Sequence, residues 1–219
     1  MKPGERRERL ARSRLYVVSD GRREQGDLPE FLVAILETGV DLVQLREKEA
    51  EASDLIRWGM VFKEATEAHG ALFIVNDRPD VAMALDADGV HLGQDDLPPD
   101  VARRILGPDG IIGVSTHSSD QFDAAPLEAD YLCAGPVWET PTKPGRPAAG
   151  LDLVRYAAKS GEERPWFAIG GINEENLPEV VDAGAGRIVV VRAVTQEADA
   201  MGAVVKLKAG LRNVNRAVS

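Results

Sequence analysis

The sequence predicts an α/β fold, a single (β/α)8 TIM barrel, on two observations. Short β-branched runs recur at intervals of roughly 20 to 30 residues, and each is followed by an amphipathic stretch. Eight such units follow one another, and eight strand–helix pairs in about 200 residues match the count and length of a compact closed barrel. A doubly wound open sheet is the rival, because alternation alone does not prove closure; the count of eight favours the barrel.

The predicted strands are Leu15–Ser19, Leu42–Arg46, Leu72–Asn76, Gly89–Leu92, Ile111–Ser115, Tyr131–Ala134, Trp166–Ile169 and Arg187–Val191. Ile188, Val189, Val190 and Val191 form an unbroken apolar string, as a parallel strand buried on both faces reads. Phe31, Leu32, Ile35 and Leu36 mark the helix after the first strand. Leu55, Met60 and Phe62 mark the next, with Ser53 or Asp54 placed to cap it. Pro79, Pro98 and Pro178 fall in the opening turns of later helices, where a missing N–H costs little. The stretch from Gly135 to Gly150 is rich in Pro, Gly and Thr and reads as a loop after the sixth strand. The barrel is assigned to residues 15–213, after an N-terminal extension or leading helix over 1–14 and before a tail over 214–219.

Composition narrows the function. Lys plus Arg total 26 against 36 Asp plus Glu, a net charge of −10, so nucleic acid and anionic membranes are repelled and not expected as partners. An anionic substrate must then be held by a local basic cluster or a metal. The aromatic share of 5% is too low for a base-stacking platform. The single Cys133 excludes an internal disulfide and, with no apolar run near the ~20 residues of a membrane span, points to a cytoplasmic protein. Five Arg among the first fourteen residues suggest targeting, but Glu5, Glu8 and the missing apolar stretch argue for a solvated leading helix or frayed end.

Polar residues collect where the strands end. The second strand leads to Gln44, Arg46 and Lys48; the third to Asn76, Asp77 and Arg78; the fourth to Gln94, Asp95 and Asp96. The fifth ends in Ser115, Thr116 and His117, the sixth leads to Thr140, Thr142 and Lys143, and the seventh ends in Gly170 and Gly171. In a barrel these tips converge on one mouth. Asp77 and Asp96 lie on adjacent strand ends and could share one Mg2+, which commonly takes one or two carboxylates plus substrate phosphate. Arg46, Lys48 and Lys143 add positive charge toward the same anion. A metal and three cations suggest a diphosphate. The alternative for any one pair is a loop salt bridge, worth little at a surface. Gly170 and Gly171, before a helix expected near Asn173, form a candidate anion cradle. His69 reads as a helix-end residue, His91 as an inward hydrogen-bonded residue and Cys133 as a buried thiol; no Ser/His/Asp or Cys/His set is apparent.

Several of these segments together resemble the signature of the thiamine-phosphate synthase family. They are Gln44-Leu45-Arg46-Glu47-Lys48, Val75-Asn76-Asp77-Arg78, Gly89 to Asp96, Gly113-Val114-Ser115, Pro141-Thr142-Lys143 and Ile169-Gly170-Gly171-Ile172. The match runs from about Leu15 to Asp199. It implies transfer of 4-amino-2-methyl-5-hydroxymethylpyrimidine from its diphosphate to a plain or carboxylated thiazole phosphate, with Mg2+ as cofactor. By the resemblance, Gln44, Leu45, Arg46, Glu47, Lys48, Asn76, Ser115 and Lys143 hold the pyrimidine diphosphate. Asp77 and Asp96 ligate Mg2+, and Thr140, Pro141, Thr142, Gly171, Val191 and Arg192 hold the thiazole phosphate. The implied catalytic set is Arg46, Lys48, Ser115 and Lys143.

The family often has Ser where this chain has Arg192, which puts a hydroxyl contact there in question and offers a guanidinium instead. A thiazole tautomerase relative would need no diphosphate apparatus, and a phosphate-binding lyase or epimerase would need a Lys or paired acids inside a barrel whose strands read as apolar. Small-molecule substrates are the expected partners, with self-association into a homo-oligomer as a further expectation.

Overall fold

Strands made of Val, Ile, Leu and Phe have no side suited to water, so they must be covered on both faces. In the computed structural model, which describes residues 4–140, 145 and 147–212, they are. The strands are β1 (Leu15–Ser19), β2 (Leu42–Leu45), β3 (Leu72–Asn76), β4 (Gly89–Leu92), β5 (Ile111–Thr116), β6 (Tyr131–Ala134), β7 (Trp166–Ile169) and β8 (Ile188–Val190). All neighbours pair in parallel and β8 closes on β1, so the rival open sheet is excluded. Helices α1 (Glu5–Arg12), α2 (Leu28–Glu37), α3 (Ala52–His69), α4 (Pro79–Ala84), α5 (Pro99–Leu106), α6 (Ser119–Asp123), α7 (Gly150–Lys159), α8 (Leu177–Asp182), α9 (Arg192–Thr195) and α10 (Ala200–Arg212) complete the chain.

Strand alternation divides the core in two. Val17, Val43, Phe73, Val90, Ile112 and Leu132 face outward and pack with the helices. Tyr16, Leu42, Leu72, Ile111, Tyr131 and Phe167 face inward and fill the barrel. Predicted strand bounds differ by a residue or so at β2, β5 and β8. The helix caps differ more. Helix α3 starts at Ala52 with Glu51 at its N-cap, so Ser53 and Asp54 lie in its first turn, where Asp54 bonds Arg57 at 2.7 Å. Pro98 is itself the N-cap of α5, with Pro99 as the first helical residue.

The arginine-rich start of the chain is a helix, but not a solvated one. Leu10 of α1 is only 1% exposed because it joins Leu42, Leu72 and Ile111 beneath the barrel's inner layer. Three aspartates order this face, and two of them hold arginines of α1. Asp41, Asp88 and Asp130 each stand one residue before an even-numbered strand. Each accepts backbone N–H groups from the strand before it: Arg14 and Leu15 at 2.9 Å, Phe73 at 2.9 Å and Ile112 at 2.8 Å, respectively. Arg6 then bonds Asp88 at 2.9 Å and Arg7 bonds Asp130 at 2.7 Å. Charge-assisted bonds of this kind are worth about 1.5–3 kcal/mol each, so α1 is a plug tied to the N-terminal face, away from the polar mouth. Residues 213 and 214–219 lie outside the described residues.

Candidate active site

At the opposite face, the C-terminal ends of the strands surround a cavity of about 410 Å³. Period-two alternation delivers the polar side chains to it. Gln44 follows Leu42 inward on β2, Ser115 follows Gly113 on β5, and Cys133 follows Tyr131 on β6. Of the residues singled out from sequence, Gln44, Arg46, Asn76, Ser115, Thr140, Gly171, Val191 and Arg192 line this one cavity.

The two proposed metal ligands meet at its rim. Asp77 sits directly after β3 with φ of 60°, a left-handed backbone that costs a non-glycine residue about 1–2 kcal/mol. Its N–H donates to the His91 carbonyl at 2.9 Å, holding that conformation. The Asp77 carboxyl is pushed above the usual carboxylate range by burial and by Asp96, which it meets in hydrogen-bond contact, while Lys48 works the other way. Lys48 Nζ lies 3.0 Å from Asp77 Oδ2. Asp96 is oriented by the Gly93 N–H, which donates to its Oδ2 at 2.7 Å. Two carboxylates drawn together beside a half-exposed lysine form an all-oxygen donor pair of the kind a divalent cation takes.

The glycine pair after β7 is a backbone feature. Gly170 and Gly171 have φ of 108° and 72°, and a Cβ on Gly170 would come within 2.5 Å of the Pro136 backbone. Only glycine fits there, because the turn packs against the cis Gly135–Pro136 segment across the mouth. The helix expected near Asn173 begins instead at Leu177. Asn173 Oδ1 accepts the N–H groups of Glu175 and Asn176 at 3.0 Å each, so this stretch is a side-chain-closed turn and the cradle is loop backbone.

Other positions fall differently. Leu45 is 1% exposed in the helix-facing core, so any substrate contact from it is through backbone. Burial and the nearby charge of Asp20 push the Glu47 carboxyl above its ordinary range, and its side chain is not part of the cavity lining. Pro141, Thr142 and Lys143 lie outside the described residues. Sequence reasoning missed Tyr16, Asn173, Gln196 and Glu197, which also line the cavity, and it undervalued His91, His117 and Cys133, which do so too. The barrel interior expected to be apolar carries a polar set, Tyr16, Gln44, His91, Ser115 and Tyr131. The parity of each strand would have found them: Tyr16, Gln44, Ser115 and Tyr131 all fall on inward positions once one inward residue per strand is known. His69 is the last residue of α3 and its Nδ1 meets the Ala65 carbonyl at 2.8 Å, as a helix-end residue would.

Comparison with known proteins identifies a family. The family model described as thiamine monophosphate synthase matches residues 15–194. The chain is 58% identical over 204 residues to a thiamine-phosphate synthase of Acidothermus cellulolyticus, covering 92% of this chain and 96% of that one. It is 54% identical over 213 residues to the thiamine-phosphate synthase of Streptomyces avermitilis, covering 96% and 99%. Among solved structures, a thiamine phosphate pyrophosphorylase from Pyrococcus furiosus superposes with a TM-score of 0.83 at 36% identity, covering 95% of this chain and 98% of that one. No helix among the described residues is long and apolar enough to cross a membrane. With the barrel, the polar mouth and these relatives in agreement, the chain belongs to the thiamine monophosphate synthase family, transferases of thiamine biosynthesis.

Proposed function

We propose that this barrel joins 4-amino-2-methyl-5-hydroxymethylpyrimidine diphosphate to a plain or carboxylated thiazole phosphate, forming thiamine phosphate and releasing diphosphate, together with CO2 when the thiazole is carboxylated, with the help of Mg2+. The observation that carries this reading is the carboxylate pair, Asp77 against Asp96, with Lys48 on Asp77 and Arg46 on the adjoining cavity wall. Two carboxylates in contact, with a lysine and an arginine beside them, suit a metal–diphosphate group better than either a lone anion or a lone metal.

Each residue has a task in that reaction. Arg46 forks two phosphate oxygens and Lys48 supplies a point charge once its aspartate partner is engaged elsewhere. Gln44, Asn76 and Ser115 orient the pyrimidine on the cavity floor. The backbone of Gly170 and Gly171, with Thr140 and Arg192, receives the phosphate of the thiazole. Bound between Asp77 and Asp96, Mg2+ would supply charge neutralisation for the departing diphosphate. The C–O bond to diphosphate breaks with both electrons leaving on oxygen, and the electron-rich aminopyrimidine carries the positive charge at its methylene carbon. The thiazole nitrogen then donates its lone pair to that carbon. No protein nucleophile is required; the protein positions both rings and excludes water.

The test is diphosphate release by the purified chain. Release that needs both substrates and Mg2+, with thiamine phosphate as product, is the expected result. Release without the thiazole phosphate, or undiminished after chelation of divalent metal, would overturn the reading. The cytoplasmic location and possible self-association expected from sequence belong to the same proposal, and sedimentation of the purified chain tests the latter.

A further inference from the structure

At the cavity floor a hydrogen-bonded chain crosses the barrel from β2 to β5. The Gln44 side-chain amide donates to the Tyr16 hydroxyl. The Tyr16 hydroxyl lies 3.0 Å from that of Tyr131, the Tyr131 hydroxyl lies 3.0 Å from His91 Nδ1, and His91 Nε2 lies 2.9 Å from Ser115 Oγ. We propose that Tyr16, Tyr131 and His91 are positioning residues whose relay fixes which hydrogen-bonding face Gln44 and Ser115 turn toward the substrate. This rests on the reading that Gln44 and Ser115 hold the pyrimidine, and it specifies how.

The polarity follows from counting protons. A side-chain NH2 can only donate, so the Tyr16 oxygen accepts from Gln44. With Gln44 donating, every buried phenol proton finds an acceptor only if Tyr16 gives its proton to Tyr131 and Tyr131 gives its own to His91 Nδ1. Burial drives both phenols well above their ordinary pKa, so neither proton is lost. His91 Nδ1 is then an acceptor, its proton sits on Nε2, and Nε2–H donates to Ser115. What remains at the two ends is complementary: the Gln44 carbonyl oxygen as an acceptor and the Ser115 hydroxyl as a donor, on residues that both line the cavity. That pair matches a flat nitrogen heterocycle with an exocyclic amino group beside a ring nitrogen. Reversing one link alone would leave a buried hydroxyl proton without an acceptor, so the links keep one direction together.

The surroundings keep the relay in place. Tyr131 is fully buried one layer below Ser115, and Gly113, its partner on β5, makes room for it; a Cβ there would come 2.0 Å from Tyr131 Cζ. Phe167 meets both tyrosine rings edge-on at 5.7 and 5.6 Å, and His91 stacks on Tyr131 at 5.6 Å. Among the described residues every buried side-chain N or O has a partner, so the relay is complete.

Two measurements test it, one independent of turnover. The chain has three histidines, so a 15N-histidine sample gives assignable ring nitrogens. In the ligand-free wild type, His91 should carry its proton on Nε2 with Nδ1 bare, and Tyr131→Phe should move the Nδ1 resonance. A proton on Nδ1 would overturn the relay whether or not the chain proves to be a synthase. In kinetics, Tyr131→Phe and Tyr16→Phe should each raise KM for the pyrimidine diphosphate about tenfold, the order of one lost directed hydrogen bond, with KM for the thiazole phosphate unchanged. Ser115→Ala should cost less in the Tyr131→Phe background than alone. Equal effects on both substrates, or strict additivity, would reduce the tyrosines to packing. Should Tyr131→Phe fail to fold, Tyr16→Phe and the wild-type tautomer decide the matter.

Discussion

Replacing Asp77 with Asn separates a catalytic role from a structural one, because the two predict opposite signs for stability. Asn keeps the shape and, like Asp, tolerates the left-handed backbone at φ of 60°. It removes one charge from the pair with Asp96 and one from the pair with Lys48. The Lys48 side chain is 48% exposed, so losing that ion pair costs ~0–1 kcal/mol. Relief of the like-charge contact offsets this, with ~4 kcal/mol as its ceiling for two unit charges about 4 Å apart at an effective dielectric near 20. The variant should therefore be as stable as wild type or more so, its Tm rising ~2–4 °C for each kcal/mol gained in a chain of this size. Turnover should fall at least ~10²-fold, since ~3 kcal/mol of transition-state stabilisation accompanies a charged metal ligand. Thermal denaturation without metal, paired with initial rates across a Mg2+ titration, reads both quantities. Wild-type turnover at limiting Mg2+ would take Asp77 out of the chemistry. A Tm lowered by more than about 4 °C would show that the aspartate holds the loop rather than an ion.

The N-terminal face makes the converse prediction. Asp130→Ala leaves the Ile112 N–H, Arg7 and Arg103 without their shared acceptor, and should cost ~1–3 kcal/mol, the order for leaving part-buried donors unsatisfied. Chemical denaturation would measure that loss, while kcat per folded molecule should stay at the wild-type value because the site is on the other face. Acid should weaken the fold through Glu162, whose carboxyl is held below its ordinary range by hydrogen bonds from Arg164. A carboxyl lowered in the folded state binds fewer protons there than in the unfolded chain. Its contribution is thus complete above the unfolded pKa and lost as pH falls through the folded one. Tm measured from neutral pH downward should decline less steeply over that acid range in Arg164→Gln than in wild type; parallel curves would dismiss the linkage.

Much of this molecule was legible before folding. The apolar runs that became β1 to β8 carried their positions in composition, since a parallel strand covered on both faces is mostly apolar until it nears the mouth. Gln44, Arg46, Asn76, Ser115, Thr140 and Gly171 were recoverable because a barrel brings every strand's C-terminal end to one mouth, so sequence position alone implies proximity. Helix starts were less legible: Ser53 and Asp54 have the right chemistry to cap, but the path of the chain entering α3 decided that Glu51 stands there. Arg6, Arg7 and Leu10 were misread as a solvated end because their partners, Asp88, Asp130 and Leu42, lie far along the chain.

By itself, then, the sequence determined the barrel, its order of elements and the set of polar tips, all of which follow from local pattern repeated eight times. Only the tertiary structure decided which side chains meet across the barrel. The plug under the N-terminal face, the left-handed Asp77 facing Asp96, and the chain from Gln44 through Tyr16, Tyr131 and His91 to Ser115 depend on closure, register and inward parity. A side chain's hydrogen-bond partner on another strand is a property of distance in space, and no local period encodes it.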